Sequence, residues 1–191
     1  MSNLRRYFTA AFLLLAVLIG CERNAPEDAP SPAGEKNAAV LIAPENRRKM
    51  PNFTLFSVQD GIEVRRENLQ GRVTLMVFFT PWCSACATDM AMLQNLVGDF
   101  DADRFSVIGM AMATKDSGKL EPFIKKLGLE FLVLQSDEAI QKSFGEITSV
   151  PTAFLIDKNG NIARKFVNHL EKDHLTVAIG MLLQETPRPK L

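Results

Sequence analysis

Cys83 and Cys86 lie in the stretch Phe79-Thr80-Pro81-Trp82-Cys83-Ser84-Ala85-Cys86, two thiols with two residues between them, preceded by the only tryptophan of the chain. A pair at this spacing can pass between dithiol and disulfide and so exchange two electrons with another disulfide. The same spacing serves as half of a zinc or copper site, as the thiol centre of a peroxidase, or as an inert structural bridge.

The surrounding elements favour exchange. Val73 to Phe79 is a continuous apolar run, as expected of a strand covered on both faces. It stops at Thr80-Pro81-Trp82, and apolar residues then recur at helical spacing through Cys86, Met90, Leu93, Val97 and Phe100. Cys83 therefore falls at a strand-to-helix junction, where free backbone N–H groups and the helix dipole stabilise a thiolate. Cys86 lies one turn inside on the same face and is better shielded. In such a pair Cys83 attacks a substrate disulfide, and Cys86 displaces the reduced product and closes the Cys83–Cys86 bond.

The rival chemistries have less support. A metal carrier needs further ligands, and the two histidines, His169 and His174, stand far along the chain. Met90, Met92, Met110 and Met112 have the spacing of core filling. Thr80-x-x-Cys83 resembles the end of the peroxiredoxin pattern, but position 76 is Met where that pattern has proline. A bridge closing so small a loop gains little through chain entropy. No metal is expected, and no cofactor beyond the redox-active disulfide itself.

Other segments complete an alternation of strands and helices. Phe53 to Phe56 and Ile62 to Val64 read as strands about an Asp60-Gly61 turn. Phe105 to Met112 and Phe131 to Leu134 read as buried strands, separated by a helix over Lys119 to Leu127 that Gly128 stops. Asp137 is placed to cap a helix running towards Phe144. Val150 to Ile156 and Ile162 to Val167 form a hairpin about Asp157-Lys158-Asn159-Gly160, and a helix over Glu171 to Gln184 closes the domain. The order predicts an α/β fold with a mixed central sheet flanked by helices.

The N-terminus has its own logic. Arg5 and Arg6 precede the apolar run Phe8 to Ile19, which is short for a bilayer span and reads as a secretory signal peptide over residues 1–20. Leu18-Ile19-Gly20-Cys21 resembles a bacterial lipoprotein signal, which implies lipid attachment at Cys21 and a membrane anchor. Cys21 is then taken by lipid, leaving Cys83 and Cys86 as the only thiols of an exported protein. Residues 22–46 hold four prolines, six alanines and no aromatic residue, and read as a flexible tether of about 25–30 Å. The folded domain is assigned to residues 47–191. Loss of Arg5 and Arg6 with the leader takes the 22 basic residues to 20 against 22 acidic ones, without a basic block to support nucleic-acid binding.

Phe79 to Leu93 resembles the active-site segment of the thioredoxin-like TlpA/ResA group, membrane-tethered bacterial thiol–disulfide oxidoreductases. Phe144 to Gly160 (FGEITSVPTAFLIDKNG) resembles their second signature, and Pro51 to Leu55 and Gly71-Arg72-Val73 agree too. The resemblance, spanning residues 50–184, implies a thioredoxin-like fold with an extra βα unit between the helix of the cysteine pair and the strand after Pro151. It implies a cis Val150–Pro151 bond facing the pair, with Trp82, Val150 and Pro151 contacting substrate. It also implies a buried acid serving the resolving cysteine. Ordinary thioredoxins place that acid where this chain has Val77, whereas this group has glutamate where this chain has Asp89. Ala85 replaces the usual proline before the second cysteine, and Phe79 the common tryptophan, leaving the direction of electron flow open. The implied partners are exported disulfide-containing proteins, such as apocytochromes awaiting haem, and a membrane thiol donor. A monomer on the extracytoplasmic side of the membrane is expected.

Overall fold

The computed structural model describes residues 40–112 and 117–186, all within a compact unit formed by residues 37–191. The expected signal peptide, Cys21 and most of the tether lie outside the described residues.

A two-stranded hairpin comes first, β1 (Thr54–Phe56) and β2 (Glu63–Arg65), paired antiparallel. The main sheet comprises β3 (Val73–Phe79), β4 (Phe105–Met112), β5 (Leu132–Ser136), β6 (Thr152–Ile156) and β7 (Ile162–Val167). Its strand order is β5-β4-β3-β6-β7. The pairs β3–β4 and β4–β5 are parallel, and β6 and β7 run antiparallel. The helices are α1 (Ser84–Val97), α2 (Leu120–Leu127), α3 (Glu138–Ser143) and α4 (Lys172–Gln184). Two βα units, β4-α2 and β5-α3, stand between α1 and β6, and the second supplies the edge strand β5. This is the thioredoxin-like mixed sheet that the sequence predicts, with the extra unit in place.

The central position of β3 explains its uninterrupted apolar sequence: all seven residues are buried. Alternation sorts them between two cores. Val73, Leu75, Val77 and Phe79 pack with Cys86, Met90 and Leu93 of α1, Phe123 of α2, and Leu175 and Ile179 of α4. Met76 and Phe78 face Met50, Phe53, Ile108, Phe144 and Phe154 on the other side. The Phe78, Phe144 and Phe154 rings meet with centroids 5.1–5.9 Å apart. Gly109 of β4 lets α1 approach the sheet, because a Cβ there would lie 3.1 Å from both Met90 Cε and Phe79 Cε1.

Two stops behave as their chemistry requires. Gly128 ends α2 at φ 58°, a left-handed conformation that glycine adopts without a Cβ penalty. Asp137 caps α3 by accepting the Ile140 N–H at 2.7 Å. The folded unit begins earlier than composition suggests. Ile42 donates its N–H to Ala163 O at 2.8 Å, and Pro44–Asn46 form one turn of 3-10 helix. Residues 42–46, assigned to the tether for want of aromatic residues, are held mainly by main-chain bonds, which composition does not report.

Candidate active site

The central strand β3 delivers the chain to one end of the sheet at Thr80, and α1 starts four residues later. Pro81 and Trp82 form the intervening turn, closed by Cys83 N–H donating to Thr80 O at 3.2 Å. Cys83 is the N-cap of α1, in extended backbone geometry, and its sulfur accepts the Cys86 N–H at 3.0 Å. That bond and the helix N-terminus favour negative charge on Cys83 when the pair is reduced.

Cys83 and Cys86 form a disulfide. Their environments differ as exchange requires: Cys83 is half-buried, and Cys86 is fully enclosed in the core. Trp82 beside them is 53% exposed, a large aromatic surface held at the mouth of the site. Across from the pair the Val150–Pro151 bond is cis, and the Val150 carbonyl oxygen lies 3.7 Å from Cys83 Sγ. Pro151 has no N–H, so the Val150 carbonyl is the main-chain group this edge presents beside the sulfur. The structure thus brings Trp82, Cys83, Cys86, Val150 and Pro151 to one end of the sheet.

Asp89 sits on the inward face of α1 with Cys86 and Met90. Residues three apart on a helix are neighbours on one face, so Asp89 follows Cys86 by one turn. It is 2% exposed, and its Oδ2 accepts the Leu170 N–H at 3.2 Å. His169 Nδ1 lies 3.2 Å from Oδ1. Burial pushes the Asp89 pKa up, against smaller downward pulls from the Leu170 N–H and from His169. Sequence reasoning anticipated the buried acid but missed His169, which stands 80 residues beyond it and carries no local signal.

A stability consequence follows from the direction of that shift. A carboxyl whose pKa is raised on folding contributes stability that is complete below its ordinary value of 3.8 and is lost as pH rises through the raised value. Once ionised, the buried Asp89 is thus a net cost. Asp89→Asn is expected to raise the melting temperature at pH 7–8, with the gain vanishing towards pH 3. Paired thermal melts at the two pH values check this, and an equal gain at both would refer it to packing.

Against this geometry, residues 47–165 match the model of the AhpC/TSA family. The thiol-disulfide oxidoreductase ResA of Bacillus thuringiensis (strain Al Hakam) is 25% identical over 141 residues, 73% of this chain and 78% of that protein. The sporulation thiol-disulfide oxidoreductase A of Bacillus subtilis (strain 168) is 25% identical over 136 residues, 70% of this chain and 81% of that one. Among solved structures, a thiol:disulfide interchange protein of the thioredoxin family from Chlorobium tepidum TLS superposes with a TM-score of 0.66 at 23% identity, covering 74% of this chain and 99% of that one. That last likeness bears on the fold. With the matched segment covering more than half of its length, the chain belongs to the AhpC/TSA family, in a thioredoxin-like form.

Proposed function

We propose that this protein is an extracytoplasmic thiol–disulfide oxidoreductase working through Cys83 and Cys86. The observation that carries the reading is the bonded pair itself, with a half-buried Cys83 at a helix N-cap and a fully enclosed Cys86 behind it. In the reduced protein, Cys83 thiolate attacks one sulfur of a substrate disulfide. The substrate S–S bond breaks, one substrate sulfur leaves as thiolate, and the other is joined to Cys83. Cys86 then gives up its proton and attacks Cys83 Sγ, releasing the second substrate thiolate and forming the Cys83–Cys86 bond. Two electrons have passed to the substrate, and a thiol donor must return them for the next turn. The electrons pass through the Cys83–Cys86 pair alone, and the Cys86 proton goes to a neighbouring base.

The substrates we assign are exported proteins with exposed disulfides, apocytochromes before haem attachment among them. The support for export is the apolar leader over residues 1–20 that precedes Cys21, and the ResA relatives are named as thiol-disulfide oxidoreductases. Trp82 and the Val150 carbonyl are placed to receive an extended substrate segment, the first by apolar contact and the second as a hydrogen-bond acceptor. Lipid on Cys21 would hold the domain near a membrane thiol donor, and a monomer suffices for every step. Among the described residues, no helix is long and apolar enough to cross a membrane.

Trp82 makes the test direct, since it adjoins Cys83 and a disulfide quenches a neighbouring indole. Titration in thiol–disulfide buffers is expected to give a two-electron fluorescence transition with a midpoint between about −270 and −120 mV. A value near the lower limit assigns the protein to reduction, and one near the upper limit to oxidation. A pair that stays oxidised throughout that window would sink the exchange reading. Insulin reduction against peroxide consumption then separates an oxidoreductase from a peroxidase.

A further inference from the structure

We infer that His169 is a positioning residue that relays a proton between solvent and the buried Asp89, and through Asp89 to and from Cys86. The inference rests on the exchange reading above.

Its basis is geometric. Asp89 is closed off from water on the α1 side by the core that also holds Cys86. Its carboxylate points to the loop between β7 and α4, where Oδ2 is occupied by the Leu170 N–H and Oδ1 meets His169 Nδ1. The Asp89 side chain is 2% exposed and the His169 side chain 66%. One imidazole therefore bridges a nearly buried carboxylate and bulk water. The two groups border an open cavity of about 380 Å³ that extends along Thr88 and Met92 of α1 and the first residues of α4. Asn168, just before the histidine, has φ 76°, and its N–H donates to Pro151 O at 2.9 Å. The loop that carries His169 is thereby tied to the proline of the active site.

Competing charges are accounted for. Glu171, Lys172 and Asp173 face the cavity from the start of α4. Arg164 and Lys165 of β7 and His174 of α4 stand on the other side of the ring. Lys172 is held by Asp99 at 3.0 Å and His174 by Glu171 at 3.0 Å. Among the described residues with ionisable side chains around the cavity, His169 is the one whose side chain meets the Asp89 carboxylate, and an imidazole has two nitrogens through which a proton can pass.

Protons balance over a full cycle. When the pair closes, the Cys86 proton goes to Asp89, then to the unprotonated Nδ1 of His169, and the resulting imidazolium loses its Nε2 proton to water. The ring is left with its proton on Nδ1, donated to the Asp89 carboxylate. When a thiol donor reopens the pair, His169 takes a proton from water at Nε2 and passes the Nδ1 proton to Asp89, and Asp89 passes it to Cys86. Each half-reaction thus resets the tautomer that the other needs. The Nδ1–Oδ1 contact that both transfers use is present with the pair oxidised.

The test is stopped-flow oxidation of the reduced protein by glutathione disulfide, followed by Trp82 fluorescence from pH 5.5 to 9 in dilute buffer. His169→Ala and His169→Gln are both expected to slow closure of the pair about 10-fold near pH 7, a modest part of what general acid–base catalysis commonly supplies. Both should change the shape of the pH profile as well as the rate. Added imidazole is expected to restore the rate of His169→Ala and leave Asp89→Asn unrestored. His174→Ala, on the far side of the ring, should match wild type. A wild-type rate in His169→Gln, or a wild-type rate and profile in His169→Ala, overturns the relay while leaving exchange intact. A wild-type protein that does not react with glutathione disulfide overturns the exchange reading itself.

Discussion

Cys83→Ser is expected to abolish disulfide exchange, lowering the rate by more than about 10³-fold, whereas Cys86→Ala should keep the first half-reaction and stall there. The asymmetry comes from the two environments. Cys83 is the half-buried sulfur at the helix N-cap, so its loss removes the atom that meets substrate. Cys86 is enclosed and can act only on the sulfur already bonded to Cys83. The hydrogen bond that favours negative charge on Cys83 comes from the Cys86 main chain, so it survives replacement of the Cys86 side chain. Cys86→Ala should therefore remain a competent nucleophile and accumulate mixed disulfides with its substrates, visible on non-reducing gels and released by dithiothreitol. Both variants lack the bridge, so the stability reference for each is the reduced wild type. Mixed disulfides trapped by Cys83→Ser instead would reverse the order of attack, and none trapped by Cys86→Ala would end the exchange mechanism.

The features behind this prediction were legible because they are local. The strands β3, β4 and β7 have the bounds read from sequence: β3 is a fully buried apolar run, β4 is apolar but for Ser106, and β7, which carries Arg164 and Lys165, is fixed by the hairpin turn before it. β5 was displaced: the expected run ended at Leu134, but Gln135 and Ser136 continue the ladder opposite Ala111 and Met112. A polar side chain at a strand end says little about its backbone pairing. The helix of the cysteine pair ends at Val97, one turn before the last apolar residue of its pattern. Phe100 instead packs from the following turn onto Phe105, with ring centroids 5.1 Å apart. Tertiary pairs of charged residues left no trace in the sequence. Asp89 and His169, or Arg47 and Asp157, each resemble solvated polar residues until the fold brings them together. The cis bond before Pro151 was likewise reached through family likeness, because an isolated Val-Pro is compatible with either isomer.

Arg47 provides the largest expected effect on stability. Its side chain is 2% exposed, and it binds Asp157 at 3.1 Å and both oxygens of Glu185 at 2.6 and 2.7 Å. Its Nε donates to Ile42 O at 2.8 Å. One guanidinium thus joins the start of the folded unit, the β6–β7 turn and the end of α4, and Lys158 adds a second tie from that turn to Leu183 O at 2.8 Å. Asp157 has no freedom to turn towards water, because its carboxylate also accepts the Asn159 and Asn161 N–H groups at 2.9 Å. Arg47→Ala leaves that carboxylate buried without its cation, at a cost of about 3–5 kcal/mol. Glu185, at 35% side-chain exposure, can be rehydrated, which places the loss near the lower end of the range. For a domain of this size about 3 kcal/mol corresponds to a fall of about 6–12 °C in Tm. Arg47→Lys should recover only part of it, since an ammonium cannot reproduce the two-oxygen grip or the Nε bond. Asp157 lies at the end of β6, and β6 runs antiparallel to β3, so this network sits at the opposite end of the sheet from Cys83. The redox midpoint read from Trp82 should accordingly stay unchanged in Arg47→Ala. A Tm within a degree of wild type would show the network to be equivalent to an exposed ion pair, and a shifted midpoint would show that the two ends of the sheet are coupled.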